Sequence, residues 1–200
     1  MDAGSGRKVN QAVLFALFAF AMATLYTFTN FQGLRDARAF DEAQLARNHA
    51  QTGRLETRCV RPLSVGRLAE RDPDGAGAVQ AHPDLLHPPL WPLALSGVFR
   101  LTGVPETGVP TTAAVYGWDY VPVAASHLFT ILSALWVWLI ARKLFDPRVA
   151  ALSAGAFLIS DLVWRLSVIG GDLGLAMFFS LGAVYAALWA GDVPAGAVVQ

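Results

Sequence analysis

The stretch VPVAASHLFTILSALWVWLIARKL, Val121 to Leu144, decides how the rest of the chain is read. It is rich in Leu, Trp and Ala and exceeds the roughly 20 apolar residues needed to cross a hydrocarbon core. It ends in Ala141-Arg142-Lys143-Leu144-Phe145-Asp146-Pro147-Arg148, a basic hairpin that the positive-inside bias puts in the cytoplasm. Composition agrees with a membrane setting. Of 200 residues, 54% are hydrophobic and only 15% charged, and the mean hydropathy is positive, so the expected class is an all-α integral membrane protein. The zero net charge says little, because the location of charges matters more than their sum.

Outward from this span, four transmembrane helices are expected with both termini inside. Residues 1–8 form a cytoplasmic N-terminus ending in Arg7-Lys8, and 9–30 form the first span. Its rival is a signal peptide cleaved near Ala21-Met22-Ala23, but apolar character continues past that point through Leu25, Tyr26 and Phe28. Residues 31–120 are an external loop holding two helices, 40–52 and 88–102. The segment Leu93 to Leu101 is too short for a span, and if it crossed, Arg142-Lys143 and Arg148 would lie outside. An interfacial or re-entrant helix opened by prolines fits both facts. After the span at 121–144 come a cytoplasmic turn (145–148), a third span (149–166), an external loop (167–172), a fourth span (173–190) and a cytoplasmic tail (191–200). A chain rich in Ala, Arg and Gly with only two lysines points to a GC-rich bacterial genome, hence the inner membrane with the active face outward.

Several functions are disfavoured by what the chain lacks. A single cysteine, Cys59, allows no intrachain disulfide and reads as an incidental loop residue. His49, His82 and His127 have no ligand spacing such as HExxH, and there is no GxSxG, Walker or GxGxxG loop. Nothing suggests a nucleic-acid partner. A transporter fits poorly, because four spans with few intramembrane charges offer little for a substrate path.

The candidate chemistry centres on Asp41-Glu42, just beyond the first span. As a helix start, with Gly53 as its stop, the pair can be read as capping, which stabilises a first turn by about 1 kcal/mol. It can also be read as a partly shielded base that accepts a proton from an attacking hydroxyl. Asp172, in Ile169-Gly170-Gly171-Asp172, has the same two readings: a helix cap, or an acid lining a shared cavity or helping to hold a divalent cation. Asp161 and Arg165, spaced i, i+4, are expected to neutralise each other, with phosphate gripping a secondary role for Arg165. His87, before Pro88-Pro89-Leu90, is a candidate phosphate contact, metal ligand or plain loop residue. Arg47, Arg58 and Arg61 are candidates for a lipid phosphate through bidentate hydrogen bonds, against solvated charge as the default.

Taken in order, an N-in span, Phe40-Asp41-Glu42 on an external helix, His87-Pro88-Pro89-Leu90 and a span ending in Ala141-Arg142-Lys143-Leu144-Phe145 resemble a known pattern. It is the N-terminal part of the protein O-mannosyltransferases and, more widely, of the multi-span (GT-C, family 39-like) glycosyltransferases, among them the aminoarabinose transferases of lipid A. The resemblance implies a membrane glycosyltransferase fed by a polyprenyl-phosphate sugar, with Asp41 as catalytic base and Glu42 beside it. It further implies His87, Arg47, Arg61 and Asp172 as substrate-binding residues, no certain cofactor, a divalent cation being one candidate, and a protein, lipid or glycan acceptor. Two departures are an insertion at about Leu68 to Asp84 and only four spans, which suggest a fragment. The alternative expectation is a non-catalytic four-span scaffold or assembly protein.

Overall fold

The computed structural model describes the backbone of residues 3–57, 82–83, 86–103 and 115–191, with side chains from Val13 onward except those of 82–83. In chain order its elements are α1 (Ala3–Asn30), α2 (Ala37–Thr52), β1 (Glu56–Thr57), β2 (His82–Pro83), α3 (Leu90–Thr102), a 3-10 turn (Gly117–Asp119), α4 (Tyr120–Leu144), α5 (Pro147–Ile159), α6 (Asp161–Val168) and α7 (Leu173–Ala190). The chain separates into two compact units: Met1–Gln32 with Val123–Gln200, and Gly33–Pro122. The protein is all-α with membrane-spanning helices; its strands are two residues each.

In the first unit, three helices are long and apolar enough to cross a membrane, over Val13–Asn30, Gly117–Leu144 and Leu173–Ala190. Their directions follow from paired positions. Gly174 lies against Ser126, Gly182 against Trp136, and Lys143 bonds to Leu188, so residue numbers rise together and α4 and α7 run parallel. Thr27 bonds to His127 while Ala19 and Ala23 share a core with Ala134, so α1 runs opposite to α4. α5 and α6 together therefore carry the chain back from the end of α4 to the start of α7. Arg142, Lys143, Asp146 and Arg148 gather at the end opposite to Asp172.

The expected single third span, 149–166, is instead broken. α5 and α6 meet at Ser160 with a 51° bend, Ser160 adopting extended dihedrals (φ −63, ψ 114). The break strands helix carbonyls, and the indole N–H of Trp164 takes one of them by donating to the Leu158 carbonyl. Trp164 is buried in the core with Ala19, Ala23, Ala134 and Leu158, where small residues let backbones approach. Between α4 and α7 the fill is aromatic: Trp136 lies 5.8 Å from Phe178 and 5.3 Å from Tyr185, centroid to centroid. At the basic turn, Asp146 caps α5 by accepting from the Arg148 and Val149 amides at 2.7 and 2.9 Å, with Pro147 as first helical residue.

In the second unit, α2 packs on α3. The helix expected at 40–52 begins earlier, at Ala37, because Asp36 holds extended dihedrals and accepts from the Ala39 amide at 2.9 Å. Gly53 ends it as expected, in the left-handed region (φ 75), its amide donating to the His49 carbonyl at 2.9 Å. The helix expected at 88–102 starts at Leu90, after Pro88 and Pro89. Trp91, Leu95 and Phe99, spaced one turn apart, form its buried stripe. At about 20 Å by helical rise it is shorter than a hydrocarbon core, which suits the interfacial or re-entrant expectation. β1 pairs antiparallel with β2, Glu56 opposite Pro83 and Thr57 opposite His82, and Asn48 on α2 donates to the Glu56 carbonyl at 2.7 Å.

Candidate functional site

The two carboxylates that are adjacent in sequence are not equivalent in space. Asp41 lies past the first turn of α2, so the capping alternative falls to Asp36 instead. Its side chain is half-buried. Glu42, on the same turn, has no exposed surface, and its Oε1 accepts from the Arg38 Nε at 2.9 Å. A buried carboxylate is tolerated only when paired, and Arg38 supplies that pairing from one turn back. The ion pair braces the helical turn that carries Asp41.

One turn further on, Arg47 leans on its own helix, its Nε donating to the Ala43 carbonyl at 3.3 Å. Its guanidinium lies over the Tyr116 ring, 5.6 Å from the centroid, and within electrostatic reach of the Asp119 carboxylate, which accepts from the Leu34 backbone amide. Asp119 is largely buried. Sequence reasoning missed this acid. The available signal was an Asp one residue outside an apolar span, between Trp118 and Tyr120, since an acid so close to lipid needs a partner. Arg47, expected to take a lipid phosphate, therefore spends part of its charge on Asp119, and Arg47, Tyr116 and Asp119 tie the two ends of the 33–122 unit together.

His49, the basic residue of the last α2 turn, joins α2 to α3. Its Nδ1 lies 2.9 Å from the Ser96 Oγ, and Ser96 donates its single hydroxyl proton to the Leu93 carbonyl at 2.9 Å, so Nδ1 is the donor to Ser96. Arg100 donates to the His49 carbonyl at 3.2 Å. His87 sits half-buried in the bend before α3. Arg58 and Arg61, Cys59 and nearly all of the Leu68–Asp84 insertion lie outside the described residues. Among the described residues no group of three or more His, Cys, Asp or Glu is placed to hold a metal ion.

Asp172 belongs to the other unit. It is half-buried at the N-terminal end of α7, where its side chain makes no capping bond, so the capping alternative does not account for it. The Asp161–Arg165 pair forms as expected, at 2.6 Å, and Tyr26 of α1 adds a hydrogen bond to Asp161 at 2.8 Å. The larger surprise is His127, dismissed in sequence for want of ligand spacing. It is buried among α1, α4 and α6, with Nε2 2.9 Å from the Thr27 Oγ1 and Nδ1 2.6 Å from the Ser167 Oγ, its ring edge-on to Trp164. Thr27 gives its own proton to the Ala23 carbonyl at 2.8 Å, which assigns the Nε2 proton to the bond with Thr27 and makes Ser167 the donor to Nδ1. Thr130, its Oγ1 2.9 Å from the Ser126 carbonyl and 3.1 Å from the Ser167 Oγ, shares its one proton between them and completes a hydrogen-bonded network across three helices. Comparison with family models, curated proteins and solved structures finds no match for this chain.

Proposed function

We propose that the chain is the N-terminal part of a membrane glycosyltransferase that moves a sugar from a polyprenyl-phosphate donor to a hydroxyl of a protein, lipid or glycan, with Asp41 as base. The observation that carries this reading is the division of labour on α2. Asp36 caps the helix and Glu42 is consumed by Arg38, so Asp41 is the acid of the motif with a half-exposed side chain and no capping duty. In the reaction, Asp41 takes the proton of the acceptor hydroxyl as that oxygen bonds to the anomeric carbon. The bond from the anomeric carbon to the phosphate oxygen breaks, and the phosphate leaves with the electron pair. His87 acts on the donor phosphate.

The reading places the reaction at the outer face of a bacterial inner membrane. The test is sugar transfer by the full gene product from a polyprenyl-phosphate donor, wild type against Asp41→Asn. Loss of a general base predicts a fall of about 10²- to 10⁴-fold in turnover with the protein still folded. Equal rates would remove Asp41 from the role. Absence of transfer with every donor tried would leave a non-catalytic scaffold as the better account.

A further inference from the structure

The end of the first unit opposite to Asp172 holds a pocket of about 380 Å³ between the last turns of α4 and α7, lined by Leu139, Arg142, Lys143, Tyr185 and Trp189. None of these residues takes part in the proposed transfer. Arg142 is exposed, and its guanidinium is held 4.9 Å from the centroid of the Trp138 ring by a cation–π contact. Lys143 donates to the Leu188 carbonyl at 2.7 Å, one of the carbonyls left open at the end of α7. Two helix C-termini meet here, each worth about half a negative charge, and the two full positive charges outweigh them. The balance at the pocket is therefore cationic. Trp189 is largely exposed and, with Tyr185, supplies rings suited to the headgroup level of a bilayer. The pocket lies at the ends of two segments apolar enough to span, so acyl chains can lie along the helices while a headgroup enters it.

We propose that this pocket binds the phosphate headgroup of an anionic glycerophospholipid, gripped by Arg142 and Lys143 and flanked by Tyr185 and Trp189. The inference does not depend on the glycosyltransferase reading. The basic cluster alone would attract any anion, but an aromatic pair at the mouth and apolar helix faces beside it favour a lipid over a free phosphate.

The experiment is native mass spectrometry of the full gene product released from nanodiscs of mixed phosphatidylglycerol and phosphatidylcholine. Wild type is expected to retain phosphatidylglycerol in preference to phosphatidylcholine. Arg142→Gln should lower that retention about fivefold. Arg148→Gln, which removes an equal charge from the neighbouring turn outside the pocket, should retain it as wild type does. Millimolar inorganic phosphate should not displace the lipid. Equal retention of the two lipids overturns the proposal, as does an equal loss in Arg148→Gln, which would mean diffuse surface charge. Displacement by inorganic phosphate would mean an anion site and refutes the lipid assignment. The lipid preference and the phosphate competition are read on wild type and can refute the proposal even if Arg142→Gln fails to fold.

Discussion

Gly174→Ala tests the packing that seats the start of α7, two residues beyond Asp172. A Cβ at this position would lie 2.8 Å from the Ser126 backbone oxygen, 3.1 Å from its Oγ and 3.4 Å from the Thr130 Oγ1. To regain an ordinary contact of 3.4 Å, the helices must separate by about 0.6 Å, and the nearest obstacle is backbone, which cannot rotate away. Overpacking of this kind costs about 1–3 kcal/mol, while replacing a helical glycine returns at most about 1 kcal/mol in propensity, less near a helix start. The expected net loss is about 1–2 kcal/mol, read as a lower midpoint in SDS-titrated unfolding from mixed micelles. Gly182→Ala is the control, because its Cβ would meet only the Trp136 ring at 3.4 Å, an ordinary contact. The double variant Gly174→Ala with Ser126→Ala is the sharper test, since it removes the hydroxyl and leaves the carbonyl. Full rescue by Ser126→Ala, or equal losses at the two glycines, would refute the reasoning.

Other expectations are simpler. Asp36→Ala should cost α2 about 1 kcal/mol and speed hydrogen exchange at the Ala39 amide, whereas Asp41→Ala should leave that amide unchanged; the opposite pattern would return the cap to Asp41. His127→Ala removes two interhelical hydrogen bonds and should cost about 1–2 kcal/mol in the same SDS unfolding, with Thr27→Ala losing less because one of the two bonds survives. Trp164→Phe keeps an aromatic ring, smaller than the indole, and removes the N–H that serves the Leu158 carbonyl. Spin labels on α5 and α6 should then report a smaller or more widely distributed bend than 51°, and an unchanged distance distribution would show that the hydrogen bond does not hold it.

The spans were legible because bilayer thickness acts on length and apolarity alone, quantities that a sequence states outright. Val121 to Leu144 is recovered in α4 almost residue for residue, and 173–190 in α7 likewise. The break at Ser160 was not legible, since a serine among apolar residues is ordinary and the Trp164 bond that supports the bend spans the break itself. Asp161 and Arg165 were legible because i, i+4 spacing is local. The α2 cap was misplaced because Asp36 and Asp41 are both good caps, and only the backbone dihedrals at Asp36 decide between them. The Arg38–Glu42 pair, also spaced i, i+4, was there to be read, but the Arg47–Asp119 neighbourhood and the His127 network depend on contacts between residues far apart in the chain. Those contacts leave no periodic or spacing trace for a reader of one sequence.

The His127 network also bears on the order in which the protein is made. Synthesis runs from the N-terminus, so Thr27 of α1 is available to the Nε2 proton of His127 before Ser167 of α6 has been made. Until α6 arrives, Nδ1 must find its hydrogen bond elsewhere, in water at the bilayer surface or on the insertion machinery. The imidazole thus links three helices made one after another, and the bent third passage supplies the last donor.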